Sequence, residues 1–405
     1  MGEATRRLDR LESIARSAWS RERALGFAGP DPYDGLNSRL LSPALSRSRV
    51  LRLALIQAVK RCPFDPRRLL LIPPGVNPKG LSLFLSGLAD FPAIDPSGVE
   101  AGILQDALIR RASSPDGTPL FAPGAGGESA LPSDAQAGWG YDFPWQGRAF
   151  FQPAGFPTVV CTSFVVDSLC DSGAAGAGEF LEASVRFVRK SLGRFECPDG
   201  VCFSYSPRDA SRVYNASLFA AKILARGHAA GIGGGLDAEA SRAADFVISR
   251  QSPDGSWPYG EAHHWQWVDG LHTGFVLETL MFLGRTLGRD DWDESIRRGL
   301  GFYAGNLFAS DGTALYHPGS GYPVDPHSYA QGILTWLAAG RNGFEVLVDP
   351  SLIADRAVEL LWDDRRRGFR IRRSRFDASR TIYSRWSQAW MFRALAALLK
   401  EGGRS

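Results

Sequence analysis

The chain has 405 residues, 44% of them hydrophobic and 22% charged, which is the make-up of a globular protein and excludes wholesale disorder. Lys+Arg 46 against Asp+Glu 43 leaves a net charge of +3, too balanced for a protein whose main task is to hold nucleic acid by its phosphates. Five cysteines form no Cys-x-x-Cys pair; Cys197 and Cys202, flanking Pro-Asp-Gly, are the one pair close enough to be weighed as a disulfide.

In chain order, residues 1–47 read as an N-terminal helix and strap, opening with the charged amphipathic stretch EATRRLDRLESIARSAWSRERA. It has no apolar leader core, and no run approaches the ~18 apolar residues of a membrane span, so a cytoplasmic protein without a transmembrane segment is expected. From residue 48 onward one unit recurs. Asp-Gly turns at 199–200, 254–255 and 311–312, with Arg367-Gly368 next, are spaced by 55, 57 and 56 residues. An amphipathic, Arg-rich helical pattern precedes each turn, and a pattern apolar on nearly all sides follows it. A helix apolar all round must be buried, whereas an amphipathic one lies outside. The buried helices are expected near 77–91, 157–171, 212–227, 269–286, 325–340 and 384–399. Their outer partners fall near 48–62, 98–112, 178–192, 237–251, 291–307 and 350–362. Six outer-to-inner hairpins predict an all-α fold, a closed (α/α)6 toroid forming a single domain over 48–405. Segment 113–156 is the long irregular stretch, and a loop of that length in a compact domain is usually functional.

Connections from outer to inner helix are long and aromatic, so the inner helices must begin at one mouth. Polar residues gather at that register: Asn77 and Lys79, Tyr214 and Asn215, Asp269 and His272, Asp325, His327 and Gln331, then Tyr383, Arg385, Trp386 and Gln388. Six helix N-termini also turn partial positive charge and free N–H groups into the same space. Asp269, Asp325 and Asn215 are equally well explained as ordinary N-caps; His, Tyr, Gln and Arg do not cap. Trp139, Trp145, Trp257, Tyr259 and Trp267 supply flat faces on which sugar C–H surfaces stack. Arginines 365, 366, 367, 370, 372, 373 and 375 lie on the last outer-to-inner connection and would make one rim of the mouth cationic, concentrating an anionic substrate. His263-His264 lacks a third ligand at helical spacing, so no metal is assigned, and no cofactor is expected.

At 242–257 the sequence RAADFVISRQSPDGSW resembles the QW motif of terpenoid cyclases, a structural motif that ties an outer helix to the following turn. The cyclase DxDD acid motif is missing. The segments NPKGLSLFLSG, CFSYSPRDASRVYNASLFAA, YPVDPHSYAQGIL and YSRWSQAWMFRAL resemble an α/α-toroid family associated with exopolysaccharide biosynthesis. RW…L at 385–399 and VYNA at 213–216 are similar to D-glucuronyl C5-epimerases. The resemblance implies a toroid handling an acidic polysaccharide or lipid-linked oligosaccharide, with polysaccharide-biosynthesis proteins as partners.

For uronate epimerisation or lyase chemistry, His272 or His327 would be the base and Tyr214 or Tyr383 the acid, with Arg385, Asn215 and Gln388 neutralising the carboxylate. For glycoside hydrolysis, Asp269 and Asp325 would be the carboxylate pair. A glycan-binding scaffold would need the aromatics but no matched acid and base; a terpenoid or prenyl enzyme would need an apolar cavity without His or Arg.

Overall fold

The computed structural model describes residues 2–41, 48–122, 131–147, 151–372, 374–376, 379 and 381–404. Their helices are α1 (Glu3–Ala24), α2 (Arg49–Arg61), α3 (Pro78–Asp90), α4 (Val99–Ile109), α5 (Val159–Asp171), α6 (Ala177–Ser191), α7 (Tyr214–Ala229), α8 (Leu236–Ile248), α9 (Gly270–Leu287), α10 (Asp293–Leu307), α11 (Pro326–Arg341), α12 (Pro350–Leu361) and α13 (Trp390–Glu401). One π-helical turn, Ser384–Ala389, leads into α13.

The inner helices start where the sequence supplies a cap. Asn77, Thr158, Asp269 and Asp325 each accept a hydrogen bond from a first-turn N–H of α3, α5, α9 and α11, and proline opens α3 and α11. Helices α3, α5, α7, α9, α11 and α13 each pack on the next, and α13 returns to α3, so the ring closes. The molecule is the expected all-α (α/α)6 toroid. Helices α4, α6, α8, α10 and α12 back the ring from outside. Helix α6 shows the division: Phe180, Leu181, Val185 and Val188 are buried, while Glu179, Glu182 and Arg189 keep their charge in water.

The sixth outer place, behind α13, is held by α1, not by 49–61 as expected. Helix α1 has 22 residues and brings Leu11, Ile14 and Trp19 into the core, with Trp19 5.3 Å from Phe392 and 6.0 Å from Phe84. Helix α2 is shorter, with 13 residues, and buries Leu55, Ile56 and Val59 alone. It packs Leu55, Ile56 and Val59 on Leu36 and Ile72 in a small separate cluster, against the turn 34–37 and strand β1 (Trp145–Gln146). Strand β1 pairs with β2 (Phe151–Gln152), so α2 and the described parts of 113–156 close over the mouth.

Two further antiparallel pairs, β3 (Arg194–Cys197) with β4 (Gly200–Phe203) and β5 (Trp362–Asp363) with β6 (Gly368–Phe369), form the Gly turns at two of the repeat stations. All five cysteines are free thiols. Cys197 pairs with Gly200 and Cys202 with Phe195, so the ladder register sets the two thiols apart, and the disulfide left open above is not formed. The QW segment does structural work: Gln251 Nε2 donates to Gly255 O (3.0 Å) and Ser295 O (2.9 Å), joining α8 to the start of α10, and the Trp257 indole donates to Val247 O (2.9 Å).

Candidate active site

Counting from each cap, the second residue of five ring helices and of the π turn that leads into α13 faces the axis: Lys79, Val160, Asn215, Leu271, His327 and Arg385 all line one cavity of about 490 Å³ at the mouth. His272 and Trp386, one residue further along, join them. The walls are aromatic: Trp145, Tyr259 and Trp267, as expected from the sequence, together with Tyr33, Tyr141, Phe143, Tyr205, Trp265, Phe275 and Tyr316. Below lies a floor of rings one turn deeper, with Phe164 5.3 Å from Phe219, 5.9 Å from Phe275 and 5.4 Å from Trp390.

Three histidines line this cavity, His264, His272 and His327, and the last two stand in opposite settings. Asp269 is buried and caps α9 by accepting the His272 backbone N–H at 2.7 Å. Its oxygens also lie 2.9 and 2.8 Å from His272 Nδ1. A carboxylate there fixes the proton on Nδ1 and leaves Nε2 as the free base. Tyr259 and Trp267, stacked on each other at 4.5 Å, hold the imidazole edge-on from 4.7 and 5.4 Å. His327 is buried, stacks on Trp390 at 4.2 Å, and has no hydrogen-bond partner for either ring nitrogen among the described residues. Burial first, then the charges of Lys79, Arg385 and His272, push its pKa well below the usual value, so it stays neutral. Asn215 Oδ1 is likewise buried without a partner. Buried polar atoms of this kind are costly unless something pairs with them.

Lys79 places Nζ 4.1 Å from the Phe164 ring centre, 5.2 Å from Phe275 and 5.1 Å from Trp390. Burial, then the neighbouring Arg385, drives its pKa well below the lysine norm. Arg385 is committed elsewhere: Nε and Nη2 bind Asp31 as a fork at 2.6 and 2.8 Å. Burial works against its charge, and Asp31 more than offsets that. The expected carboxylate-neutralising arginine thus already holds a carboxylate of its own, supplied by a strap residue 354 positions away.

The remaining expected site residues stand outside the cavity lining, each for a visible reason. Tyr214 is the first residue of α7 and turns back onto Phe246 of α8, ring centres 6.1 Å apart. Tyr383 precedes the π turn and lies under the Arg67 guanidinium. Asp325 accepts the Trp386 indole N–H with both oxygens at 3.0 Å and caps His327 N at 2.9 Å, and burial raises its pKa to about 6. Asn77 caps α3 and donates to Asp142. Gln331 bonds Glu278 at 2.9 Å in the wall between α9 and α11. Gln388 exchanges two bonds with the Phe369 backbone, at 3.1 and 2.9 Å, and so completes β6. Trp139 and Trp257 are core residues, their indoles donating to Leu108 O and Val247 O. None of the described arginines of 365–375 lines the cavity; Arg366 and Arg370 pair with Asp363, and Arg373 lies outside the described residues. Among the described residues the cationic rim expected from that run does not form at this cavity, and two of its arginines are held on Asp363.

Sequence reasoning missed Tyr33, Asp31 and Asp142, which come from non-repeating segments, and Tyr316, on a connection outside the helix starts. Asp142 is buried beside Asn77, and burial lifts its pKa to about 6. Tyr33 accepts from Lys60 Nζ at 3.0 Å, which brings α2 to the cavity edge.

No family model matches the chain, and no curated protein matches it. Among solved structures it is similar to cellobiose 2-epimerase from Bacillus thermoamylovorans B4167, at a TM-score of 0.58 and 10% identity over 80% of this chain and 88% of that one. A GH76 alpha-mannanase from Bacteroides thetaiotaomicron follows at a TM-score of 0.53 and 11% identity, covering 80% of this chain and 86% of that one. D-mannose isomerase gives 0.51 and 11%, over 80% and 87%. At these identities the likeness establishes the shared α/α toroid.

Proposed function

We propose that the cavity is the active site of a carbohydrate-directed enzyme that moves a proton at a sugar carbon next to a carbonyl or carboxylate, in the manner of an epimerase or lyase. The observation that carries this reading is the pairing of an oriented base with a neutral imidazole in one aromatic cavity: His272 held by Asp269 at 2.8 Å, and His327 with both ring nitrogens unpartnered. In the step envisaged, Nε2 of His272 takes the C–H proton while its Nδ1–H stays on Asp269. The electron pair moves onto the carbonyl or carboxylate oxygen, which needs donors such as Lys79 and the first-turn N–H groups of the ring helices. Return of a proton from solvent to the opposite face, with the neutral His327 there as a hydrogen-bonding partner, would give the epimer; loss of a group from the neighbouring carbon would give the unsaturated lyase product.

An acidic glycan, free or lipid-linked, is the substrate class, supported by the converging helix N-termini; Arg385 already holds Asp31, and burial disfavours the charged form of Lys79, which is left to act as a hydrogen-bond donor. The role in exopolysaccharide assembly, with protein partners there and a cytoplasmic place of work, rests on the sequence resemblance. A toroid of this kind also carries a cellobiose 2-epimerase, which is an analogy of fold. Hydrolysis is disfavoured because Asp269 and Asp325 are each engaged, by His272 and by Trp386. A purely isoprenoid cavity is disfavoured by the His, Asn and Lys side chains in the lining.

The test is incubation with uronate-containing oligosaccharides and reducing disaccharides in D2O. Deuterium entering at the carbon beside the carbonyl or carboxylate supports the proposal, as does an ultraviolet-absorbing unsaturated uronate. New reducing ends without exchange would mean a hydrolase, and binding without change would mean a scaffold. Turnover untouched in both His272→Ala and His327→Ala would remove the histidines from the mechanism.

A further inference from the structure

Around α2 the surface has a composition unlike the rest of the molecule. Among the described residues between 35 and 72, Arg39, Arg49, Arg61 and Arg68 are exposed and Asp65 is the one exposed acidic residue, while buried Arg67 is paired with Asp34. Six of the fifteen large apolar side chains that the described residues leave exposed fall in the same stretch, Val50 at 72% and Leu69 at 70% among them, the others being Leu40, Leu51, Phe64 and Leu71. Helix α2 turns Leu55, Ile56 and Val59 inward to its small cluster, so Val50, Leu51, Ala54 and Ala58 face out, bracketed by exposed Arg49 and Arg61. Next to it, the Arg39 N–H bonds to Leu71 O at 3.4 Å, which sets Leu40 beside Leu71. The same helix lends Leu53 and Gln57 to the cavity lining, so this surface adjoins the mouth.

We propose that residues 39–41 and 48–71 form a docking surface that seats the mouth of the cavity on an anionic phospholipid leaflet. A helix with outward Val, Leu and Ala between arginines lies in the plane of a membrane surface, its apolar groups in the acyl boundary and its guanidinium groups among the phosphates. Each basic residue near such a surface strengthens binding by about fivefold, and apolar contact adds to that. Charge selects this occupant over a second copy of the chain, because a two-fold contact would lay one set of exposed arginines against another. An amphiphilic substrate could then pass from the leaflet into the cavity without crossing water. The proposal stands without the reaction proposed above, because its readout is vesicle binding and not turnover.

The experiment is flotation of the full chain with vesicles of phosphatidylcholine alone, or of phosphatidylcholine and phosphatidylglycerol in equal parts. The protein is expected to float with the anionic vesicles, less so at high salt, and not with the neutral ones. Arg49→Gln/Arg61→Gln/Arg68→Gln is expected to weaken binding by about a hundredfold on the fivefold-per-residue scale. Val50→Glu/Leu69→Glu should abolish flotation, with circular dichroism unchanged because both positions are exposed. No flotation of the wild type with anionic vesicles, or flotation of both variants at wild-type strength, overturns the proposal. So does light scattering that shows a wild-type dimer which Val50→Glu/Leu69→Glu splits, since the surface would then belong to a second copy.

Discussion

Asp269 performs two tasks that an Asp269→Asn substitution separates. As the cap of α9 it accepts the His272 backbone N–H at 2.7 Å, and as a carboxylate it meets His272 Nδ1 with both oxygens, at 2.9 and 2.8 Å. Asparagine caps as well as aspartate, so stability should change by no more than about 0.5 kcal/mol, whereas Asp269→Ala should cost about 1 kcal/mol. For the imidazole the exchange is severe. The amide NH2 takes the place of one oxygen, so a donor now faces Nδ1, and the ring is driven to the tautomer with its proton on Nε2. That nitrogen can no longer act as a base. An oriented general base contributes about a hundredfold to ten-thousandfold, so exchange in D2O should fall by at least about a hundredfold, or about 3 kcal/mol in barrier. Adding Asp269→Asn to His272→Ala should cost little more, because the two residues act as a unit. Exchange within a few-fold of wild type in folded Asp269→Asn, or fully additive losses in the double variant, would refute the assignment.

Asp31→Asn leaves the Arg385 guanidinium buried without its counter-charge, and breaking such a pair costs about 3–5 kcal/mol. Urea unfolding should show this loss, and the double variant Asp31→Asn/Arg385→Met should recover most of it. A single variant as stable as wild type would mean that the fork at 2.6 and 2.8 Å is not a net tether of the strap to the π turn. For pH, His327 is held neutral when folded, while the unfolded chain binds a proton there below about pH 6.5. The unfolded state then binds more protons, so this residue costs stability as pH falls below about 6.5, by up to about 1.4 kcal/mol per pH unit. Asp325, raised to about 6, acts in the opposite sense as pH falls from there towards 4. The clean measurement is therefore the stability difference between wild type and His327→Gln, which should favour the variant increasingly below pH 6.5; a constant difference would show that His327 is protonated in the fold.

The helices were legible in the sequence because each property that makes them is local. Inner helices expected at 157–171 and 325–340 are found at 159–171 and 326–341, since uninterrupted apolar faces and the caps Thr158 and Asp325 mark their starts within a few residues. The convergence of Lys79, Asn215, His272, His327 and Arg385 was legible for the same reason: six repeats with one register put equivalent positions around one axis. Adjacent residues were not separable in this way. Tyr214 and Asn215 are neighbours, yet one turn angle sends the first to the outer layer and the second to the cavity. Tertiary packing alone decided which of two amphipathic helices, α1 or α2, would back the ring, because both satisfy the same periodicity and only competition for the space behind α13 distinguishes them. It also decided the electrostatics. Arg385 reads as a free cation until the chain brings Asp31 to it across 354 residues, and the arginines of 365–375 read as a rim until Asp363 draws two of them away. Charge and hydrogen bonding act over a few ångströms in space, and sequence separation carries no record of that distance.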